Sequence, residues 1–250
     1  ARKWLSQFDG KIDLAEPFAG GAIVGLTAVF ENLAQKAIII EKDEDVASVW
    51  QTILGCNAKW LTDRITNFEL TSDNVRAVFA KEPESLREQA FRIILKNRLQ
   101  HGGILAQGAG LIKNGENGKG LKSRWYPETI SKRIQDIWKI RDKIEFIQGD
   151  GLEYIRQNRG RKKMAFFIDP PYTKAGRRLY SYHDIDHGGL FDLTVKTAGD
   201  ILITYDDALE IETMAIKHGL QIEKIPMKTT HHLKKYELVI GKNLTWLRDW

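Results

Sequence analysis

Apolar runs of four or five residues recur along most of the chain, each followed by a longer stretch with helical spacing. Residues 12–15 (Ile-Asp-Leu-Ala) read as a buried strand that stops at Glu16-Pro17. The apolar run from Ala22 to Leu33 reads as a helix, residues 37–40 as a second strand closed by Glu41, and residues 45–54 as a second helix. Strands this apolar, alternating with helices, are those of a parallel sheet covered on both faces. The alternation resumes with a strand at 145–148, a helix at 152–158 and a strand at 164–168. Strands at 200–204, 221–225 and 236–240 follow, with a helix over 207–218. The polar stretch 228–235 joins the last two strands, and a hairpin there would make one strand antiparallel at the edge of the sheet.

Between these halves the pattern changes. Residues 58–100 read as helices broken near Thr71-Ser72-Asp73 and Glu82-Pro83, and a further helix fits 127–140. Residues 102–120 are rich in glycine, with hairpin-turn pairs at Asn114-Gly115 and Asn117-Gly118. The interruption is too long for an ordinary loop. The expected fold class is therefore α/β: a Rossmann-like sheet built from residues 1–57 and 141–250, with an inserted, mainly helical domain over 58–140. Trp125 and Trp138 are expected in a core.

With 250 residues the chain can bury one large core and carry an insertion. No apolar run approaches the roughly 20 residues of a membrane span, and none reads as a signal peptide. A cytoplasmic chain with no membrane contact is expected. The lone cysteine, Cys56, excludes an internal disulfide, suits a reducing compartment and is expected in the core. A chain beginning at Ala1 rather than Met suggests upstream residues removed by trimming or processing. The formal charge of +5 favours polyanionic partners, but many ordinary enzymes are as basic.

Two segments carry chemistry. The first is Glu16-Pro17-Phe18-Ala19-Gly20-Gly21, between a strand and a helix. Glycines let the backbone approach a ligand closely, and ligands of such sheets sit beyond the carboxyl ends of the strands. The spacing is neither that of a dinucleotide fingerprint nor that of a P-loop. Glu41, beside Lys42, suits the hydroxyls of an adenosine ribose, and Asp150, beside Gly151, could receive the adenine amine. The second segment is Asp169-Pro170-Pro171-Tyr172, at the end of the strand Met164–Ile168. Adenine N6 is a poor nucleophile because its lone pair is delocalised into the ring. Acceptors on its two N–H bonds, the Asp169 carboxylate and the Pro170 carbonyl, would localise that pair and aim it at a sulfonium methyl. The prolines stiffen the turn, and Tyr172 offers a flat face to an extruded base. No metal or covalent intermediate is required.

Glu16-Pro17-Phe18-Ala19-Gly20-Gly21, the strand-end Glu41, Asp150 and the tetrad from Asp169 to Tyr172 together resemble the Dam-like DNA adenine-N6 methyltransferases. Their order fits too, since in that family the glycine motif precedes an inserted target-recognition domain and the tetrad follows it. The resemblance implies S-adenosylmethionine as methyl donor, S-adenosylhomocysteine as product, base flipping, and double-stranded DNA as partner. It also implies, in restriction–modification settings, a cognate endonuclease as functional counterpart. Two departures stand out. The glycine-lysine motif that usually precedes the first strand would end just where Ala1 begins, so it is either trimmed or absent, and Gly10-Lys11 lies too close to that strand to replace it. The insertion lacks the family's arginine-tyrosine-asparagine stretch, so no recognition sequence carries over. The rRNA guanine-N2 methyltransferases share both motifs but lack so large an insertion. A DNA-binding module of this fold with impaired catalysis is a third reading.

Basic residues outnumber acidic ones from Arg92 to Lys143. Arg98, Lys119, Lys122 and Arg124 are candidates for phosphate contacts, and Asn114 and Asn117 for base edges. Arg177 and Tyr182, in the polar loop after the tetrad, are further candidates for contact with the nucleic acid.

Overall fold

The computed structural model describes residues 1–100, 112, 118–171, 185–228 and 234–247. They fall into two compact units. The first comprises residues 1–42 and the described residues from 143 onward, and the second residues 43–142 as far as they are described.

The first unit is a seven-stranded sheet: β1 (Asp13–Glu16), β2 (Lys36–Glu41), β3 (Ile144–Gln148), β4 (Met164–Ile168), β5 (Asp200–Asp206), β6 (Gln221–Lys228) and β7 (Lys234–Gly241). Their order across the sheet is β3-β2-β1-β4-β5-β7-β6. The first five strands are parallel, and β7 runs antiparallel to both neighbours. This is a Rossmann-like sheet. Successive residues of a strand face opposite sides, and both sides are apolar here. Ala15, Phe166, Ile168, Ile201, Ile203 and Tyr205 join one core. That core is shared with α8 (Gly151–Asn158), α9 (His187–Val195) and α10 (Leu209–Lys217). Leu14, Ala165, Phe167, Leu202 and Val239 join the other, against α1 (Arg2–Ser6) and α2 (Ile23–Phe30).

The hairpin of the last two strands exists, but the antiparallel strand is not at the edge. Strand β7 inserts between β5 and β6, and β6 takes the rim. The residues explain the choice. Leu238, Val239 and Ile240 of β7 are all buried, as a central strand demands. Strand β6 alternates polar residues with apolar ones and carries an exposed Pro226, which has no N–H for a second neighbour.

The second unit is helical: α3 (Glu44–Leu54), α4 (Ala58–Thr66), α5 (Ser72–Ala80), α6 (Leu86–Leu99) and α7 (Pro127–Lys139), with a 3-10 turn over Gly120–Arg124. Its core gathers Ile53, Leu61, Ile65, Phe68, Phe91, Leu95, Trp125 and Ile134. The insertion therefore opens at Asp43, before α3, and not at residue 58 as expected. Helix α3 buries Ile53 in the helical core and packs the partly buried Val49 against it, and Gln89 Nε2 of α6 donates to Asp45 Oδ1 at 3.1 Å. Two further expectations are corrected. Cys56 is exposed, in the turn between α3 and α4. Trp125 is core, but Trp138 is 41% exposed, with the Arg141 guanidinium 4.0 Å from its ring centroid. Among the described residues no helix is long and apolar enough to cross a membrane.

Candidate active site at the carboxyl ends of the strands

The glycine segment leaves β1 and is stitched to β2. Ala19 N–H donates to the Ile40 carbonyl at 3.0 Å, and Gly20 N–H to Glu41 Oε2 at 2.8 Å. Gly20 has φ +47°, in the left-handed region, and a Cβ at Gly20 or Gly21 would meet nothing within 4 Å. The loop thus turns bare backbone toward open space, as a close ligand approach requires. Pro17 is buried, and Phe18 packs on the core of the α8–α10 face.

Glu16, a candidate ligand residue, faces inward instead. It is 4% exposed, and Oε2 accepts the Gly25 N–H of α2 at 2.7 Å. Burial is the largest influence on its carboxyl and outweighs the hydrogen bonds from Gly25 and Val24; the negative charge of Asp169 pushes the same way, so the carboxyl rises to about 8. At neutral pH Glu16 is mostly protonated. It anchors the entry of α2 rather than presenting charge to a ligand.

Asp150 caps α8. Its Oδ1 accepts from Leu152 N–H at 2.9 Å and Glu153 N–H at 3.1 Å, and Lys42 Nζ lies 3.0 Å from its Oδ2. Partial burial pushes this carboxyl up, but Lys42 and the helix N–H groups outweigh it and hold it below the ordinary aspartate value. Gly149 N–H donates to the Glu41 carbonyl at 2.9 Å, so the ends of β2 and β3 form one ledge. Gly151 sits against the glycine segment, where a Cβ would fall 2.2 Å from the Pro17 carbonyl oxygen. Glycine is required there by close packing of α8 on the loop.

Strand β4 pairs with β1 on one side and β5 on the other, so Asp169 emerges beside the glycine segment. Asp169 is exposed, Pro170 buried and Pro171 half-buried. Thr204 Oγ1, on β5, donates to Asp169 Oδ1 at 2.8 Å. At the next position of β5, the buried Tyr205 hydroxyl lies 2.7 Å from His187 Nδ1. Burial, with Asp206 and Asp169 adding charge, holds the Tyr205 phenol well above its ordinary value. Glu16, Gly20, Glu41, Asp150 and Asp169 are therefore brought to one end of the sheet. Thr204 belongs to neither motif in the sequence, and only the strand register identifies it. Tyr172, Asn114, Asn117, Arg177 and Tyr182 lie outside the described residues.

In the helical unit, Lys119 and Lys122 are exposed and Arg98 and Arg124 half-buried. Arg124 Nη1 donates to the Gln100 carbonyl at 3.2 Å. Burial, then the charges of Arg124 and Arg133, lower the Arg98 pKa, so three guanidiniums share one region. A cavity of about 400 Å³ in the same unit is lined by Cys56, Thr62, Ile134 and Trp138 among others. None of the strand-end residues borders it.

Comparison with solved structures finds methyltransferases at low identity. The M1A22 tRNA methyltransferase TrmK of B. subtilis is 12% identical, with 98% of this chain and 66% of that one covered at a TM-score of 0.41. TrmK of M. capricolum, solved with S-adenosylhomocysteine, gives 10%, 96%, 68% and 0.41. The precorrin-6y C5,15-methyltransferase of Geobacter metallireducens gives 9%, 95%, 82% and 0.39. These overlaps are loose, and the fold rests on the strand order above. No curated protein matches the sequence. One family pattern does, that of the D12 class N6 adenine-specific DNA methyltransferases, over residues 3–197. The chain is a methyltransferase and belongs to the D12 class N6 adenine-specific DNA methyltransferase family.

Proposed function

We propose that this protein transfers a methyl group from S-adenosylmethionine to N6 of an adenine flipped out of double-stranded DNA. The observation that carries this reading is Asp169, exposed at the end of β4, anchored by Thr204, and next in the sheet to the strand that feeds the glycine loop. The cofactor-binding residues would be Phe18 to Gly21, whose glycines face open space, with Glu41, Lys42, Asp150 and Gly151 on the adjoining ledge. When bound, S-adenosylmethionine supplies an electrophilic methyl on sulfur.

The remaining work falls to the chain. Asp169 accepts one N6 proton in a hydrogen bond and the Pro170 carbonyl the other, which localises the lone pair. As N6 gains the methyl, its acidity rises, and the proton passes to Asp169 and on to water. Position and alignment supply the acceleration. Glu16 aids by staying neutral near pH 7, since a second carboxylate charge there would favour protonation of Asp169. Tyr172 is assigned to stacking on the base. Arg98, Lys119, Lys122 and Arg124 give the helical unit the positive surface that phosphates require.

The test is incubation with labelled donor and unmethylated duplex DNA, followed by identification of the modified nucleoside. N6-methyladenine is expected, and Asp169→Ala should abolish it while leaving S-adenosylhomocysteine binding within a few-fold. Transfer only to guanine in rRNA would favour the guanine-N2 reading. Tight donor binding with no transfer to any nucleic acid would favour an impaired DNA-binding module. Undiminished transfer by Asp169→Ala would remove the catalytic assignment.

A further inference from the structure

We infer that Thr204 is a positioning residue that sets the plane of the Asp169 carboxylate toward the acceptor amine, an inference that rests on the reading of Asp169 above. The side chain of Asp169 stands exposed at a strand end, where the plane of a carboxylate is set by the hydrogen bonds its oxygens accept. The Thr204 hydroxyl is 2.8 Å from Oδ1. Its base is rigid. Thr204 lies in β5, paired with Val239 of β7, while the preceding residue, Ile203, pairs with Ile168 of β4 immediately before Asp169. The two side chains therefore meet through sheet register, not through a loop contact that could drift.

The chemistry gives the contact a direction. Thr204 Oγ1 is the donor because an ionised carboxylate only accepts. A hydroxyl bond to Oδ1 restricts rotation of the carboxylate, and an acceptor with a fixed plane can meet an N6 proton in line. It also favours the charged form of Asp169, the form that accepts. The bond turns the carboxylate and takes no proton from the acceptor base, so its loss should fall on turnover rather than on binding. Valine has the same shape and strand preference and lacks the hydroxyl, whereas serine keeps the hydroxyl.

Two measurements test this. With labelled donor and unmethylated duplex, Thr204→Val should lower kcat about ten-fold or more. KM for DNA, S-adenosylhomocysteine affinity and Tm should stay close to wild type. Thr204→Ser should return kcat to within about three-fold. Carboxyl-13C NMR of the free protein requires no substrate. There the Asp169 titration midpoint should move to higher pH in Thr204→Val and return in Thr204→Ser. A Thr204→Val enzyme with wild-type kcat, or an Asp169 titration indifferent to residue 204, would overturn the inference. So would equal losses in turnover, donor affinity and Tm, which mark a merely structural threonine. If the wild type modifies no adenine while the NMR coupling is present, the functional reading fails and the Thr204–Asp169 coupling stands.

Discussion

Replacing Glu16 with glutamine should make the protein more stable at alkaline pH and leave it nearly unchanged in mild acid. Glu16 ends β1 almost fully buried, with Gly25 N–H on its Oε2 at 2.7 Å. Burial, reinforced by the charge of Asp169, raises the carboxyl from 4.5 to about 8. The sign follows from proton binding. Between those values the folded protein keeps a proton that the unfolded chain has lost, so stability falls as pH rises through this window and levels off above it. At about 1.4 kcal/mol per pH unit, the span amounts to about 3–5 kcal/mol once loop relaxation is allowed for. Glutamine cannot ionise, and its amide oxygen can still accept from Gly25 N–H.

Urea unfolding of the two proteins without donor, at half-unit steps from pH 4.5 to 9.5, isolates this one group, because every other titrating side chain is common to both. The gap in unfolding free energy between Glu16→Gln and wild type should open steadily to about pH 8 and stay constant beyond it. Parallel curves across the whole window would refute the reasoning, for Glu16 would then titrate as an ordinary surface carboxylate.

Three other outcomes are expected. Gly151→Ala forces a Cβ to within 2.2 Å of the Pro17 carbonyl oxygen, so urea denaturation should show a loss of about 1–3 kcal/mol, and calorimetry weaker S-adenosylhomocysteine binding. Lys122→Ala and Arg124→Ala should each weaken duplex binding and lower its salt slope by about one, read by fluorescence anisotropy, with donor affinity unchanged. Tyr172→Phe should keep most activity, whereas Tyr172→Ala should weaken base flipping by roughly 5- to 150-fold, read from a fluorescent adenine analogue at the target.

The strands of the parallel half were legible because burial on both faces leaves an unbroken apolar run, and Met164–Ile168 of β4 is buried throughout. The glycine loop and Asp169 were legible as motifs. Helix α9 was not. It opens on His187-Gly188-Gly189, poor helix formers, and is held by burial of Leu190 and Phe191 in the sheet's core. Nor was the start of the insertion. The spacing of Val49 and Ile53 marks α3 as a helix but does not say that its apolar face meets Phe91 and Leu95 rather than a sheet. Trp138 shows the same limit, since its place on α7 fits either a core or an exposed ring covered by Arg141.

The least legible feature, the placement of β7, bears directly on the chemistry. Chain order brings β6 first, and a hairpin can join a sheet by either of its strands. Side-chain composition decides between them: Leu238, Val239 and Ile240 bury on both faces, while Pro226 and its polar neighbours suit the rim. With β7 inside, β5 is paired from Leu202 to Asp206 on the side away from β4. The pairing of β5 with β4 ends at Ile203, so it is β7 that holds Thr204 and the two residues after it. Paired with Val239, Thr204 becomes a fixed point, and the carboxylate it holds projects from a strand end that a buried proline immediately stiffens. A hairpin far along the chain from the glycine loop thus completes the support of the acceptor group.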